Sequence, residues 1–185
     1  VTLVLGLPES YEEFSRALER KHRHEIRRKL RKAEALPDLQ FRSTGRNTLS
    51  GDIEAFIEMH RRQSVGKHEF WEKKGMDVFF NTFFFEMAAR GWARLDSLFS
   101  GGNLAASTMI FEYGGETSLY NMAFSREYSS FNPGYFLLNH AVDSAILKQH
   151  KRLDFLRGNE KYKYEFGAED FKIVRLTLKP GEMSA

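Results

Sequence analysis

The stretch Thr117-Ser-Leu-Tyr-Asn-Met-Ala-Phe-Ser-Arg-Glu-Tyr-Ser-Ser-Phe-Asn-Pro-Gly134 decides how this chain is organised. Its first eight residues are rich in β-branched and aromatic side chains, a composition typical of a buried strand. After the polar loop, apolar residues recur at three- and four-residue spacing to about Lys148, which predicts a helix with Asn132 as N-cap and Pro133 at its first position. A second strand, Arg152–Leu156, follows. We therefore predict a β-α-β unit whose helix start forms an anion site.

Composition sets the outer limits. A chain of 185 residues, 42% apolar and 29% charged, is expected to form one globular domain of ordinary composition. It has no cysteine, which excludes disulfides, thiolate metal sites and a cysteine nucleophile and fits a reducing compartment, so we predict a cytoplasmic protein. Its apolar runs are too short for a membrane span. Because the first residue is Val1, we expect a piece of a longer, two-domain chain.

Positive charge is concentrated in one predicted helix. Between Arg16 and Lys32 there are nine Lys or Arg residues and two Glu, so the remainder of a chain with net charge +3 must be net negative. This helix can be a solvated face, can bind the phosphate backbone of a nucleic acid such as tRNA, or can dock on a second domain or on the phosphates of a ligand. No aromatic residue lies between Phe14 and Phe41, which weakens the case for single-strand binding.

The other predicted elements follow from caps, breakers and periodicity. A capping box at Ser10–Glu13 begins a helix that runs to about Ala35. The remaining expectations, in chain order, are a strand or linker over 1–7, a strand over 39–43, a helix capped by Asp52, a charged loop from Gly66 to Gly75, a helix starting at Asp77 with Phe79, Phe80, Phe83, Phe84 and Met87 inward, strands over 92–99 and 104–113, and a last strand over 171–178.

Together these elements predict an α/β (α+β) fold, with a mixed, mostly antiparallel sheet, helices on both faces and an extra N-terminal basic helix. Three strands form an antiparallel meander, and the crossover after it is parallel. We divide the chain into residues 1–36 with the basic helix, a main domain over 37–180 and a tail over 181–185.

The order of elements and three motifs resemble the CelD-like acetyltransferase family, a branch of the GNAT fold related to the FemABX peptidyltransferases. The motifs are Leu7-Pro-Glu-Ser-Tyr-Glu-Glu-Phe14 with Arg27–Lys32, Asn132-Pro-Gly134, and Asp154-Phe-Leu-Arg-Gly158 with Tyr162-Lys163. The resemblance covers residues 7–178. It departs from the wider GNAT pattern because Pro133-Gly134 stands in place of Arg/Gln-x-x-Gly-x-Gly, which leaves the pyrophosphate contacts open.

The resemblance implies a site for acetyl-CoA or another acyl-CoA. A splayed or bulged strand at Asn121, Met122 and Ala123 would offer backbone groups to pantetheine, and the loop from Tyr128 to Tyr135 would bind phosphates. The donor-binding residues are then Asn121, Met122, Ala123, Tyr128, Asn132, Gly134, Tyr135 and Arg157. The alternative is that Pro133-Gly134 only starts a helix.

The candidate catalytic groups lie between Asn159 and Gly167. Tyr164 resembles the GNAT tyrosine that protonates the CoA thiolate, while Tyr162-Lys163 resembles the aromatic-lysine pair of Fem-type transferases. Only one of the two tyrosines can face the thiolate, and we select Tyr164. Alternatively, the aromatic residues only cover the sheet edge.

No general base stands out. Asp154 and Glu165 are candidates, although each can instead pair with Arg157 or Lys163. His140 is more often structural, and no metal site is predicted. The resemblance thus implies acyl transfer from a CoA thioester to a small-molecule or other amine acceptor. The alternatives are a Fem-like transferase that uses aminoacyl-tRNA and a non-catalytic GNAT-fold half that packs on a partner domain.

Overall fold

The computed structural model describes residues 1–45 and 47–177 of the chain. Seven strands form one sheet: β1 Thr2–Gly6, β2 Gln40–Ser43, β3 Ala93–Ser100, β4 Asn103–Tyr113, β5 Glu116–Phe124, β6 Arg152–Asp154 and β7 Glu169–Phe171. The helices are α1 Tyr11–Ala17, α2 Arg20–Glu34, α3 Leu49–Arg61, α4 Val65–Trp71, α5 Met76–Ala89, α6 Pro133–Leu147 and α7 Lys161–Glu165, with a 3-10 helix over Arg126–Phe131.

The sheet order is β2-β3-β4-β5-β6-β1-β7, and every pair of neighbours is antiparallel except β5 and β6. The predicted mixed, mostly antiparallel sheet is therefore confirmed, as are the meander β3-β4-β5 and the parallel crossover through α6. Gly101 and Gly102 make the β3–β4 turn with φ of +54° and +80°, a conformation that favours glycine. Strand β1 lies inside the sheet, between β6 and β7, so Thr2–Gly6 pairs with the C-terminal strands.

Helices cover both faces, as predicted. On one face α1, α2 and α6 pack on β1, β5 and β6, and Phe14, Ile26 and Val142 are buried there. On the other face α3, α4 and α5 pack on β3, β4 and β5, with Phe56 and Phe84 in the core. The predicted basic helix α2 is thus amphipathic. Its apolar stripe packs towards α6 and its cationic face is exposed.

The prediction of a single helix from Ser10 to Ala35 is wrong. The Ser10 hydroxyl accepts from the Glu13 amide at 3.2 Å, as the capping box requires, but α1 ends at Ala17. Leu18 and Glu19 are extended, and α2 begins at Arg20. The break allows Leu18 to enter the core beside β1, and the Arg23 guanidinium donates to the carbonyl of Ser15 at the end of α1.

Two helix starts differ from the prediction in the helical layer α3–α5. Thr48, and not Asp52, occupies the N-cap of α3, and Asp52 instead forms an ion pair with Arg42 from β2. The charged loop predicted from residue 66 is largely helix α4. The Ser64 hydroxyl caps it by accepting from the Lys67 amide at 3.3 Å, and Trp71 is buried at its end.

The inward face of α5 is narrower than predicted. Phe80 and Phe84, four residues apart, are buried against the sheet. Phe79 and Phe83 stack on each other with ring centroids 5.6 Å apart, and they are 56% and 37% exposed. The helix starts at Met76, one residue before the predicted start.

The C-terminal strands are shorter than predicted. β6 ends at Asp154, because the Asp154 carboxylate accepts from the Leu156 amide at 2.7 Å and Leu156 takes a φ of +58°, which turns the chain off the sheet. β7 covers 169–171, and residues 172–177 form no strand, in contrast to the predicted strand over 171–178. Position 178 and the predicted tail over 181–185 lie outside the described residues.

Candidate active site

A wedge-shaped opening separates β5 from β6. The two strands pair only where Glu116–Ser118 meets Arg152–Asp154. β6 then ends, whereas β5 continues to Phe124, so within residues 1–45 and 47–177 no strand lies beside the later backbone groups of β5 on that edge. Tyr120 is also an extra residue in the β4–β5 register, because Met109 pairs with Asn121 and Ile110 pairs with Leu119. The predicted irregularity next to Asn121 is therefore a β-bulge.

The opening leads into a cavity of about 410 Å³. Its walls come from α4, β5, the 3-10 helix, the first turn of α6, the segment after β6 and α7, and the residues that line it are Lys67, Thr108, Leu119, Tyr120, Asn121, Met122, Phe124, Ser129, Asn132, Pro133, Gly134, Tyr135, Leu138, Phe155, Arg157, Glu160, Tyr162 and Lys163. Eight of the twelve residues predicted from sequence as site residues meet here, and they come from four parts of the chain: β5, the start of α6, the segment after β6 and α7.

Tyr164, the catalytic tyrosine selected from sequence, lies outside the cavity. Its hydroxyl donates to the Asp170 carboxylate at 2.8 Å, and its side chain is exposed. Tyr162 lines the cavity instead, two positions earlier in α7. Residues two apart on a helix point in different directions, so Tyr162 lines the cavity while Tyr164 faces Asp170.

Three further predicted residues lie away from the cavity. The Asp154 carboxylate accepts from the Thr2 hydroxyl at 2.5 Å as well as from the Leu156 amide, which ties β6 to β1. Ala123 is buried in the core on the α3 side, and Tyr128 packs against the cluster that contains Leu36 and Leu98. Asp154 is therefore a strand-end residue that holds β6 to β1, and it is not among the residues that line the cavity.

The first turn of α6 lies directly against β5. Pro133 occupies the first helical position, as predicted. Asn132 is the N-cap residue but has a φ of +56°, and its side-chain amide donates to the Ser130 carbonyl rather than capping the helix. A Cβ atom on Gly134 would lie 2.8 Å from the Met122 sulfur, so a glycine here allows the helix start to approach the bulged strand.

Lys163 is buried and already surrounded by oxygen atoms. Its Nζ lies 2.8 Å from the carbonyl of Arg157, 3.3 Å from the carbonyl of Gly158 and 2.9 Å from the Glu160 carboxylate. These contacts hold the segment between β6 and α7 in place beside the cavity. In this arrangement the hydrogen bonds of Lys163 stabilise the part of the cavity wall that lies between β6 and α7.

Two tyrosines share the wall opposite β5. Burial, together with the charge of Glu160, raises the pKa of Tyr162 to about 12, so its hydroxyl stays protonated. Tyr135 presents its ring to the cavity, while its hydroxyl donates to the Glu165 carboxylate at 2.8 Å. The Lys29 ammonium lies 3.7 Å from the centre of that ring. Glu165, a candidate base from sequence, is thus held on the α2 side of this wall.

Sequence reasoning missed several groups that the fold brings to the site. Lys67 comes from α4, and its Nζ donates to the Gln63 side chain and, at 3.4 Å, to the Met122 carbonyl. Burial lowers the pKa of Lys67. Burial raises the pKa of Glu160, but the hydrogen bond from Lys163, a backbone hydrogen bond and the charges of Lys163 and Lys67 together outweigh it, so the net pKa is lowered. Ser64 three residues before Lys67 is the signal that would have indicated this helix start.

Asn121 is held from behind by a buried histidine. The His60 Nε2 atom lies 3.0 Å from the Asn121 Oδ1, and the Trp71 indole N–H donates to His60 Nδ1 at 3.0 Å. Burial lowers the pKa of His60 to about 4, with a further contribution from the Lys67 charge. The Thr108 hydroxyl donates to the Asn121 carbonyl at 3.2 Å, so backbone and side chain are both fixed at the bulge.

Two absences apply to the described residues. Residues 1–45 and 47–177 contain no cluster of three His, Cys, Asp or Glu side chains that could hold a metal ion. Over the same two ranges, no helix combines the length and apolar composition needed to cross a membrane.

Comparison with known families identifies this arrangement. The profile described as an acetyltransferase (GNAT) domain matches residues 20–164, well over half of the chain.

This chain belongs to the GNAT acetyltransferase domain family.

Solved structures share the fold of this GNAT domain at low identity. The crystal structure of FemX superposes with a TM-score of 0.64 at 12% identity, over 91% of this chain and 58% of that one. A conserved protein of unknown function from Bacteroides thetaiotaomicron gives 0.61 at 15% identity, over 89% and 54% of the two chains. The C-terminal domain of a putative lysylphosphatidylglycerol synthetase from Agrobacterium fabrum gives 0.56 at 11%, over 91% and 56%.

At such identities the likeness shows the fold alone. The GNAT domain spans somewhat more than half the length of each of these neighbours. Among curated proteins, none matches this sequence.

Proposed function

We propose that this GNAT domain transfers an acyl group from a CoA thioester to an amine acceptor. The observation that carries the proposal is the opening between β5 and β6, which exposes the backbone of a bulged strand beside the first turn of α6. An acyl-CoA combines an extended arm that contains amides with a pyrophosphate. Exposed strand backbone binds the first by adding hydrogen bonds at a sheet edge, and a helix start binds the second.

The donor in this proposal runs along β5. Its amides pair with the β5 backbone beyond Ser118, where none of the described strands pairs on that edge. Its phosphates lie towards the amides at the start of α6, which Gly134 brings close to the cavity, and the Arg157 side chain lines the same space. This arrangement retains Asn121, Met122, Asn132, Gly134, Tyr135 and Arg157 as donor-binding residues.

The chemistry proposed is direct attack. The amine nitrogen adds to the thioester carbon, the oxyanion that forms collapses, the C–S bond breaks, and the new C–N bond remains. In this proposal Tyr162 donates a hydrogen bond to the oxyanion. A hydroxyl with a pKa of about 12 keeps its proton and stabilises a developing negative charge by hydrogen bonding.

Protons must also leave the amine and reach the departing thiolate. Glu160 is the single carboxylate among the residues that line the described cavity, and it is paired with Lys163. We therefore propose that water in the open cleft accepts the amine proton. The thiolate, a much weaker base than the Tyr162 phenolate, leaves with Tyr162 hydrogen-bonded to it and is protonated by solvent.

A second candidate is transfer from aminoacyl-tRNA, as in the Fem-like alternative. The observation that favours it is a groove between α2 and α7, of about 420 Å³, lined by Lys21, His22, His24, Glu25, Arg28, Arg31, Lys161 and Glu165. This groove is predominantly cationic, as a phosphate backbone requires. The Tyr135–Glu165 pair lies between this groove and the cavity beside β5, so the acyl group at the end of a bound tRNA would have to pass these two residues.

We also propose that the domain works with a second domain, since each structural neighbour is considerably longer than the matched region. Membership of the CelD-like branch and a cytoplasmic location are part of the same proposal. In the third candidate, the domain is a GNAT-fold half that lacks activity without its partner.

Calorimetric titration of the chain with acetyl-CoA, dephospho-CoA and an aminoacyl-tRNA distinguishes the three candidate functions. The expected result is that the wild type binds acetyl-CoA and that Gly134→Ala binds it more weakly. Binding of aminoacyl-tRNA without CoA would overturn the proposal in favour of the Fem-like transferase. Failure of all three ligands would overturn it in favour of the partner-dependent half.

A further inference from the structure

A row of three side chains runs from the core on the α3 side to the cavity. Trp71 and His60 are each 3% exposed, and Asn121 lines the cavity wall. The contacts are Trp71 Nε1 to His60 Nδ1 at 3.0 Å and His60 Nε2 to Asn121 Oδ1 at 3.0 Å. The row therefore connects α4, α3 and the bulge of β5.

Hydrogen-bond chemistry fixes the direction of the row. An indole N–H can only donate, so His60 Nδ1 must be the unprotonated nitrogen. The neutral imidazole then carries its proton on Nε2 and donates it, and the amide atom that accepts it must be the oxygen of Asn121. A charged imidazole would place an N–H against the Trp71 N–H, which agrees with the lowered pKa of His60.

The consequence is a fixed orientation of the Asn121 amide. Its oxygen is held by His60, and the Thr108 hydroxyl holds the carbonyl of the same residue at 3.2 Å. The nitrogen, with two N–H donors, is the group left for a ligand in the cavity. A donor held by packed residues needs no reorganisation when a carbonyl arrives, and such preorganisation is what makes hydrogen-bond donors effective in active sites.

We infer that His60 is a positioning residue: locked in one tautomer by Trp71, it holds Asn121 so that the amide nitrogen donates to a carbonyl oxygen of the bound acyl donor. The inference rests on the proposed function, because it names the atom that recognises the donor. The ligand group is a thioester or amide carbonyl.

The first test needs no ligand. Long-range proton–nitrogen NMR spectra of the free, nitrogen-15-labelled chain report which nitrogen of His60 carries the proton. We expect a protonated Nε2 and an unprotonated Nδ1 between pH 6 and 8. A proton on Nδ1, or a charged ring in this range, would overturn the inference whatever the protein binds.

The second test uses variants that differ in one hydrogen-bonding group. Asn121→Asp keeps the shape and an acceptor for His60 but replaces the N–H donors by oxygen, and we expect acetyl-CoA affinity to fall roughly 10- to 100-fold. Asn103→Asp, the same change at an exposed turn, is the matched control and should bind as the wild type does. Equal affinity in both variants would overturn the inference.

The third test addresses His60 itself. His60→Gln presents one acceptor and one donor and should retain most of the affinity, whereas His60→Leu removes both and should lose it to the extent seen for Asn121→Asp. If His60→Leu fails to fold, Trp71→Phe keeps the ring packing, frees the tautomer and should weaken binding by a smaller factor. Wild-type affinity in Trp71→Phe would then overturn the inference that Trp71 and His60 position Asn121.

The outcomes separate this inference from the proposed function. If the wild-type chain binds neither acetyl-CoA nor dephospho-CoA, the proposed function fails, and the tautomer measured on the free protein still decides the orientation of Asn121. If the wild type binds acetyl-CoA and Asn121→Asp binds it equally well, the proposed function stands and this inference fails.

Discussion

The Nζ atom of Lys163 lies 2.8 Å from the carbonyl oxygen of Arg157, and three other oxygens surround it, from Leu156, Gly158 and Glu160. The lysine side chain is 3% exposed, whereas Glu160 is largely in solvent. The ammonium thus holds the segment that connects β6 to α7 by donating hydrogen bonds to its carbonyl groups. This segment contains Arg157 and leads into Tyr162, and both residues line the cavity. A substitution at Lys163 should therefore change both the stability of the protein and the geometry of the site.

Replacing Lys163 by methionine keeps the aliphatic volume and removes the ammonium group. The carbonyls that it satisfies would lose their donor, so we expect the free energy of unfolding to fall by about 2–4 kcal/mol in urea titrations. Lys161→Met is the control, since its side chain is 82% exposed and its ion pair with Glu165 is long at 3.8 Å. Equal losses in the two variants would show that Lys163 has no such role.

Tyr162 and Tyr164 provide a matched pair of hydroxyl deletions. With acetyl-CoA and a working amine acceptor, we expect Tyr162→Phe to lower kcat by roughly 10- to 100-fold, because Tyr162 lines the cavity and its hydroxyl remains protonated and can stabilise the oxyanion. Tyr164→Phe should keep the wild-type rate, because its hydroxyl is engaged with Asp170 at the surface. The reverse order of rates would return the catalytic assignment to Tyr164.

Two helical glycines distinguish cavity filling from helix propensity. Alanine at Gly51, in the first turn of α3, meets no atom within 4 Å and should stabilise the protein by up to about 1 kcal/mol. Alanine at Gly134 places a Cβ against the Met122 sulfur at 2.8 Å, so the methionine must move within the donor cavity. We expect Gly134→Ala to weaken acetyl-CoA binding about tenfold in calorimetry.

The Gly134 prediction has an internal check. Met122→Ala, added to Gly134→Ala, removes the obstructing sulfur and should recover part of the lost affinity. If the double variant binds as weakly as the sum of the two single losses, the Gly134 effect does not act through Met122.

His60 should leave a signature in the pH dependence of stability. Its pKa is lowered to about 4 in the folded state by burial, against a value near 6.5 in an unfolded chain. At pH 7 both states are neutral and the stability is complete. As the pH falls from 6.5 to 4, the unfolded chain binds a proton that the folded state does not, so the free energy of unfolding declines, in total by on the order of 3 kcal/mol.

The comparison with His60→Gln isolates this contribution, because carboxylates titrate alike in both proteins. Urea unfolding at pH 7.5, 6.0 and 5.0 should show a steeper decline for the wild type than for the variant. Parallel declines would mean that His60 titrates normally in the folded state.

The cationic face of α2 should be dispensable for binding of acetyl-CoA. Arg27, Arg28 and Arg31 are exposed, and none of them lines the donor cavity. We expect the triple reversal to Glu to leave acetyl-CoA affinity within about twofold, measured at 150 mM salt, where surface charges are largely screened. Any affinity for aminoacyl-tRNA should fall steeply with added salt and vanish in the triple variant. Loss of acetyl-CoA binding in that variant would place the CoA phosphates on α2 instead.

Much of the fold could be predicted from local signals. Glycines mark the β3–β4 turn, Pro133 marks the start of α6, and the Ser10 capping box marks α1, because each depends on a few neighbouring residues. The alternation of strands and helices is likewise a property of short segments. These signals were enough to indicate the mixed sheet and the parallel crossover, whereas the irregular strand at Asn121 was implied by the family resemblance.

Other features depended on contacts between distant segments. Strand β1 enters the sheet between β6 and β7, more than 140 residues away in sequence, and this pairing leaves no mark on residues 2–6 beyond their apolar character. The break at Leu18 likewise follows from its burial against the core. Local propensity favours a continuous helix there, and tertiary packing overrides it.

The site divides in the same way. The sequence by itself determined which short segments hold polar and aromatic groups suited to acyl transfer, since a motif is a property of neighbouring residues. Only the tertiary structure decided that Tyr162 and not Tyr164 lines the cavity, that Asp154 ties β6 to β1, and that His60 stands behind Asn121. The physical reason is that burial and hydrogen-bond partners are set by whatever segment packs opposite, and no local pattern specifies that segment.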